Sequence, residues 1–102
     1  IEYFYTFKNN FTPMQQDKLI IELQSGNEKA FSRIYELYSQ STYGIIFGII
    51  KDASVSEEVL QDVFIKIWNN ASSYSPEKGR FFTWVLNIAR NVCIDKLRAK
   101  VL

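Results

Sequence analysis

Apolar residues recur at helical spacing along most of this 102-residue chain, and no stretch alternates apolar and polar residues as a half-buried strand would. The clearest pattern is the last. From Gly79 to Arg98, Phe81, Val85, Ile88, Ala89, Val92 and Leu97 share one face of a helix and are expected to meet a core. Thr83, Asn87, Arg90, Asn91, Ile94 and Arg98 fall on another side of the same helix. Upstream, Leu19, Ile20 and Leu23 predict a short helix over Asp17 to Ser25, with Gly26 suited to its carboxyl end. Asn27 can cap a longer helix to about Ile50 whose inward face is Phe31, Ile34, Tyr35, Tyr38, Ile45, Ile46 and Ile49. Gly44 and Gly48, four apart, would let another helix approach closely.

A third helix is predicted through Asn69, opened by a capping box at Ser54-Val-Ser-Glu57. Its apolar residues come in pairs: Val59 with Leu60, Val63 with Phe64, Ile67 with Trp68. Such a stripe is wider than one neighbour requires. One edge is expected to face a partner, beside Glu57, Glu58, Gln61 and Asp62; burial of all six is the alternative. Ala71 to Gly79 reads as the longest loop, by its Ser, Pro and Gly content. Its Tyr74 is either an anchor or a ligand contact. The expected architecture is all-α, a compact bundle of about four helices.

Charge adds a second layer. The net value of +1 hides an asymmetry. Asp52, Glu57, Glu58 and Asp62 lie in a stretch without a basic residue, whereas Lys78, Arg80, Arg90, Lys96, Arg98 and Lys100 face a single Asp95 at the carboxyl end. Two unlike partners are implied. Basic side chains suit phosphates, Asn and Arg suit base edges, and the aromatics Phe81, Phe82 and Trp84 suit unstacked bases. Among these, Phe81 reads as core, Trp84 borders both faces, and Asp95 is expected to pair with Arg90 or Arg98.

Other chemistry is a poor fit. The chain has no His, no glycine-rich phosphate loop and no converging carboxylate pair, so neither catalysis nor a metal or other cofactor is expected. Cys93 is single and sits among apolar neighbours, which points to buried packing and a reducing cytoplasm. The apolar run Ile45-Ile-Phe47 stops at Gly48, far short of the ~20 residues that span a bilayer. Residues 1–13 carry five aromatics without helical phase. They read as a leader or extension, either a flexible tail or partly docked, and Met14 could be a natural start.

Four segments in order carry a family resemblance. They are Ala30-Phe-Ser-Arg-Ile-Tyr-Glu-Leu-Tyr38, Glu57-Glu-Val-Leu-Gln-Asp-Val-Phe-Ile-Lys-Ile-Trp68, Gly79-Arg-Phe-Phe-Thr-Trp84 and Ile88-Ala-Arg-Asn-Val-Cys-Ile-Asp-Lys-Leu-Arg98. Together they resemble region 2 of the sigma-70 family, in its extracytoplasmic-function (ECF) group of bacterial RNA polymerase sigma factors, over about Met14 to Lys100. The domain would occupy residues 14–102.

The resemblance implies that the third helix docks on the clamp helices of the largest subunit of core RNA polymerase. The matching positions are Glu57, Leu60, Gln61, Asp62, Phe64, Ile65 and Trp68, with Phe64 and Trp68 as anchors. It also implies that the loop and last helix recognise and melt the promoter −10 element. Asn87, Arg90, Asn91 and Arg98 would then read upstream base pairs and phosphates. Thr83 shares that face. Phe81, Phe82 and Trp84, with the loop through Tyr74 and Lys78, would border the place where a nontemplate base leaves the stack, and Arg80 and Lys78 would hold the backbone nearby. An anti-sigma factor, if the protein has one, is a further partner.

Two departures stand out. Phe82 occupies a position where many relatives have a polar or basic residue, so it either enlarges the aromatic wedge or packs against a partner. Region 4, the helix-turn-helix for the −35 element, has no counterpart in these 102 residues, and the chain alone is expected to locate promoters poorly. Two other functions fit less well. A sigma-like interaction module without promoter activity would not need the polar face of the last helix. A general RNA-binding domain would not need the acidic third helix.

Overall fold

The computed structural model describes residues 12–101, which form four α-helices and two short 3₁₀ turns. Of the leader expected over residues 1–13, residues 1–11 lie outside the described residues, while Thr12 caps the first helix and Pro13 opens it. Helix α1, Pro13–Gln24, starts four residues earlier than its periodicity suggests, because its cap is local chemistry. The Thr12 hydroxyl accepts from the Gln15 amide at 3.1 Å, and the Gln15 side chain accepts from the Thr12 amide at 2.8 Å. Pro13 fills the first position, where a missing N–H costs nothing. At the far end Asn27 N–H donates to the Glu22 carbonyl and Gly26 N–H to that of Leu23. Gly26 adopts φ +85°, the left-handed turn that ends a helix in this way.

Asn27 caps α2, Glu28–Ile50, its side chain accepting from Ala30 N–H at 3.0 Å. Reversal into α3, Ala53–Asn70, takes two residues: Lys51 in the left-handed region and Asp52 extended. Asp52 is therefore the cap, its carboxylate accepting from Val55 N–H at 2.9 Å, and the expected Ser54–Glu57 box does not form. With the helix opening after Asp52, Ser54 already lies inside its first turn and no longer stands at a cap position.

Helix α4, Phe81–Val101, packs on both α2 and α3, and α2 packs on α3. Ile34, Ile46, Val59, Val63, Ile67, Val85, Ala89 and Cys93 are sealed from solvent between them. Burial raises the pKa of the Cys93 thiol, which disfavours the reactive thiolate. The paired stripe on α3 turns inward almost whole. Val59, Leu60, Val63, Phe64 and Ile67 are buried and Trp68 half-buried, because α3 is wedged between two helices rather than laid on one. Tyr35 of the expected α2 core face is 40% exposed, and Leu97 of α4 is 39% exposed. Buried Leu37 and Thr42 take part instead, Thr42 donating to the Tyr38 carbonyl at 2.7 Å. Gly44 and Gly48 are exposed with no neighbour where a side chain would stand, so they permit no close helix approach among the described residues.

No described helix is long and apolar enough to cross a membrane. One core position is polar without compensation. The Ser56 hydroxyl is fully buried and has no hydrogen-bond partner among the described residues. Ser56→Ala removes the orphan group and improves helix propensity, so the urea midpoint is expected to rise by the equivalent of about 1 kcal/mol.

Candidate nucleic-acid and protein interfaces

The segment between α3 and α4 is built as a clasp. Its turns are Ala71–Ser73 and Pro76–Lys78, and hydrogen bonds from three side chains lock it. Tyr74 is buried, and its hydroxyl donates to the Gly79 carbonyl at 2.8 Å. From α1, the Gln24 amide donates to the carbonyls of Ala71 and Tyr74 at 3.0 and 2.9 Å. Lys78 Nζ donates to the Ser73 carbonyl. Gly79 sits at φ +98°, ψ −170°, a conformation essentially restricted to glycine, and from it the chain enters α4. Tyr74 is thus an anchor: its ring meets Phe81 edge-on at 5.3 Å and tilts against Trp84 at 5.5 Å.

Phe81 and Phe82 both point inward, at 2% and 3% exposure. Phe82 stacks on Tyr38 at 5.3 Å with the planes 21° apart, and Phe81 lies 5.7 Å from the same ring. The tyrosine is tied in turn to α1, its hydroxyl accepting from Gln16 Nε2 at 2.6 Å. Phe82 is therefore a core residue with no ring face turned to solvent, so this arrangement offers it neither to an enlarged wedge nor to a partner protein, the two alternatives the sequence left open. The pair of aromatics spans both flanks of the core-facing side of α4. Trp84, half-buried against Phe81 at 5.6 Å, is the aromatic that keeps an open edge beside exposed Lys78 and Arg80.

Along α4, Thr83, Asn87, Arg90, Asn91, Ile94 and Arg98 are all exposed, in one row. The side chains of Asn87, Arg90, Asn91 and Arg98 make no hydrogen bond or ion pair among the described residues, so their donors and acceptors are available to a ligand. Asp95 forms no ion pair with Arg90 or Arg98, contrary to expectation. One bridge joins α4 to α3, from Lys96 to Glu58 at 3.4 Å. Both groups are solvated, and such pairs contribute about 0–1 kcal/mol.

On α3 the sequence-predicted residues divide. Leu60 and Phe64 belong to the core; Phe64 meets Phe31 at 6.3 Å and Tyr35 at 4.8 Å, both edge-on. Trp68 meets Phe31 at 5.2 Å and is half-buried. What faces solvent is Glu57, Gln61, Asp62 and Ile65, the last 57% exposed. Glu58 and Asn69 extend this row, and Lys66 interrupts its acidity. Neither Asn69 nor Lys66 was expected at the surface patch, although the period that turns Val59, Val63 and Ile67 inward also turns both outward. Among the described residues no cluster of three or more acidic or cysteine side chains could hold a metal ion.

Comparison with known proteins places these features. The family described as Sigma-70 region 2 matches residues 34–101. Among curated proteins, the ECF RNA polymerase sigma factor SigK of Mycolicibacterium vanbaalenii is 31% identical over 84 residues, covering 82% of this chain and 43% of that protein. The protein of the same name from Mycobacterium sp. strain KMS is 28% identical over 90 residues, covering 88% of this chain and 47% of its own length. That of Mycobacterium ulcerans is 30% identical over 82 residues, 80% of this chain and 44% of the relative. The chain thus spans a little under half the length of the curated relatives it matches. With two-thirds of its residues matched in one continuous stretch, the chain belongs to the sigma-70 region 2 family.

Proposed function

We propose that this domain joins core RNA polymerase and helps it recognise and open the promoter −10 element. The observation that carries the reading is the row Thr83, Asn87, Arg90, Asn91 and Arg98, exposed and unengaged on a helix whose opposite side is core. Asn87 and Asn91 are poor helix formers one turn apart, and their amides suit base edges. Arg90 and Arg98 suit phosphates and should weaken in effect as salt rises. A sigma-like interaction module without DNA contacts would leave this row without a use.

Opening needs no covalent step. Extruding a nontemplate base costs a few kcal/mol, and stacking it on a side chain returns roughly 1–3 kcal/mol. Trp84 supplies the partly open ring, while Lys78 and Arg80 hold the backbone nearby. Phe82 and Tyr74 act behind them, by fixing the loop and the entry of α4. The polymerase-facing surface is the α3 row of Glu57, Gln61, Asp62 and Ile65 with the open edge of Trp68, an acidic and apolar strip suited to the clamp helices. Leu60 and Phe64 stiffen that strip from beneath. The unit that does this is residues 14–102, its first helix capped from Thr12, and it works in the cytoplasm where polymerase and DNA are. An anti-sigma factor, if present, would compete for these surfaces.

Asn87→Ala with Asn91→Ala, in the intact factor assembled with polymerase, is expected to reduce −10 base discrimination at least tenfold in promoter binding. The fold should be unaffected, because both side chains are exposed. An unchanged base preference would remove α4 from the reading role.

A further inference from the structure

At the centre of the polar row on α4 stands an apolar residue that neither the core nor the proposed contacts use. Ile94 is 43% exposed. Asn87, Arg90 and Asn91 lie on its face one and two turns before it, and Arg98 one turn after. With Leu97, Arg98 and Val101 it lines an open groove. An isoleucine held in water there costs solubility, yet its neighbours on the row are the free amides and guanidinium groups described above.

We infer that Ile94 reads a thymine, by packing on its C5-methyl group in the major groove. This rests on the proposal that α4 lies against −10 duplex DNA. The thymine methyl is the apolar feature that base-pair edges present in that groove, and apolar side chains are its usual partners. Charge favours DNA as the occupant: Arg90 and Arg98 flank Ile94, and Lys100 follows, with Asp95 the sole acid on this stretch. The groove is also continuous with the row of Asn87 and Asn91. A helix rises about 1.5 Å per residue, so Ile94 stands about 4.5 Å beyond Asn91. At roughly 3.4 Å per base pair, the thymine lies about one step from the base that Asn91 contacts.

The test uses deoxyuridine, which keeps every hydrogen-bonding group of thymidine and lacks the methyl. The intact factor assembled with core polymerase selects its preferred −10 duplex from a randomised library, and each thymine in that duplex is then replaced singly by deoxyuridine. At one position the replacement should weaken binding about threefold to fivefold, the effect expected of one methyl group taken out of water. For Ile94→Ala the thymine-to-uracil ratio at that position should fall to about one, with the thermal midpoint unchanged. Insensitivity to every uracil, with a preferred duplex still selected, overturns the role of Ile94 and leaves the −10 reading standing. Equal weakening of both duplexes by Ile94→Ala also overturns it, and assigns the groove to a protein contact. Failure to select any sequence overturns the −10 reading itself.

Discussion

Asp62→Arg together with Ile65→Ala is expected to abolish capture of this domain by core RNA polymerase while leaving its folding intact. Both side chains stand free on α3, Ile65 at 57% exposure, so neither change opens a cavity or buries a charge. Exposed substitutions of this kind usually alter stability by about 0.5 kcal/mol or less. At an interface the same changes act twice. Replacing the apolar contact removes a burial contribution, and the new arginine meets a partner surface expected to be basic, where like charges cost several kcal/mol. Loss of at least a hundredfold in affinity follows, read by competition against the unaltered domain with a parallel thermal melt. Full capture by a folded double variant would take the α3 row out of the polymerase interface. Phe64→Ala cannot serve in this role, because the ring packs between Phe31 and Tyr35 and its removal would unfold the helix that carries the row.

Phe82→Ala is expected to cost about 3–5 kcal/mol of stability, a large share of the roughly 5–15 kcal/mol that holds an ordinary domain together. The ring is 3% exposed and stacked on Tyr38, which also holds Phe81 and accepts from Gln16. Truncation therefore loosens α1, α2 and the start of α4 together. Urea unfolding should show the midpoint shift without DNA or polymerase present. Trp84→Ala, at a half-buried position, should cost less stability and more promoter opening. If Phe82→Ala kept the parent midpoint and lost only DNA binding, the ring would belong to the nucleic-acid surface after all.

The contrast between these two aromatics shows where sequence reading stops. Periodicity of 3.6 identified the outward row on α4 because a helix with one core face exposes the opposite one whatever its neighbours. It did not place Phe82, because the ring that covers it, Tyr38 of α2, also covers Phe81, and a partner shared across helices is not visible in one segment. The same reason explains α3. Its paired stripe looked too wide for one neighbour, and the structure supplies two, α2 and α4. Cap positions were decided by where the backbone turns helical, after Asp52 rather than after Ser54, and by Thr12 and Gln15 acting together. Tyr74 could not be assigned from its composition-defined loop, because its partners, Gly79 and Gln24, are set by the turn geometry and by α1. The polymerase and −10 assignments came from the family resemblance; charge and spacing alone reached only two unlike surfaces.

Those two surfaces are the central claim, and a crossed binding measurement tests it most directly. The Asp62→Arg, Ile65→Ala variant and the Asn87→Ala, Asn91→Ala variant are each assayed for core polymerase capture and, in the assembled complex at high polymerase concentration, for −10 sequence preference. The account predicts that the first loses capture and keeps its preference wherever assembly is forced, while the second keeps capture and loses preference. Loss of both activities in either folded variant would contradict it.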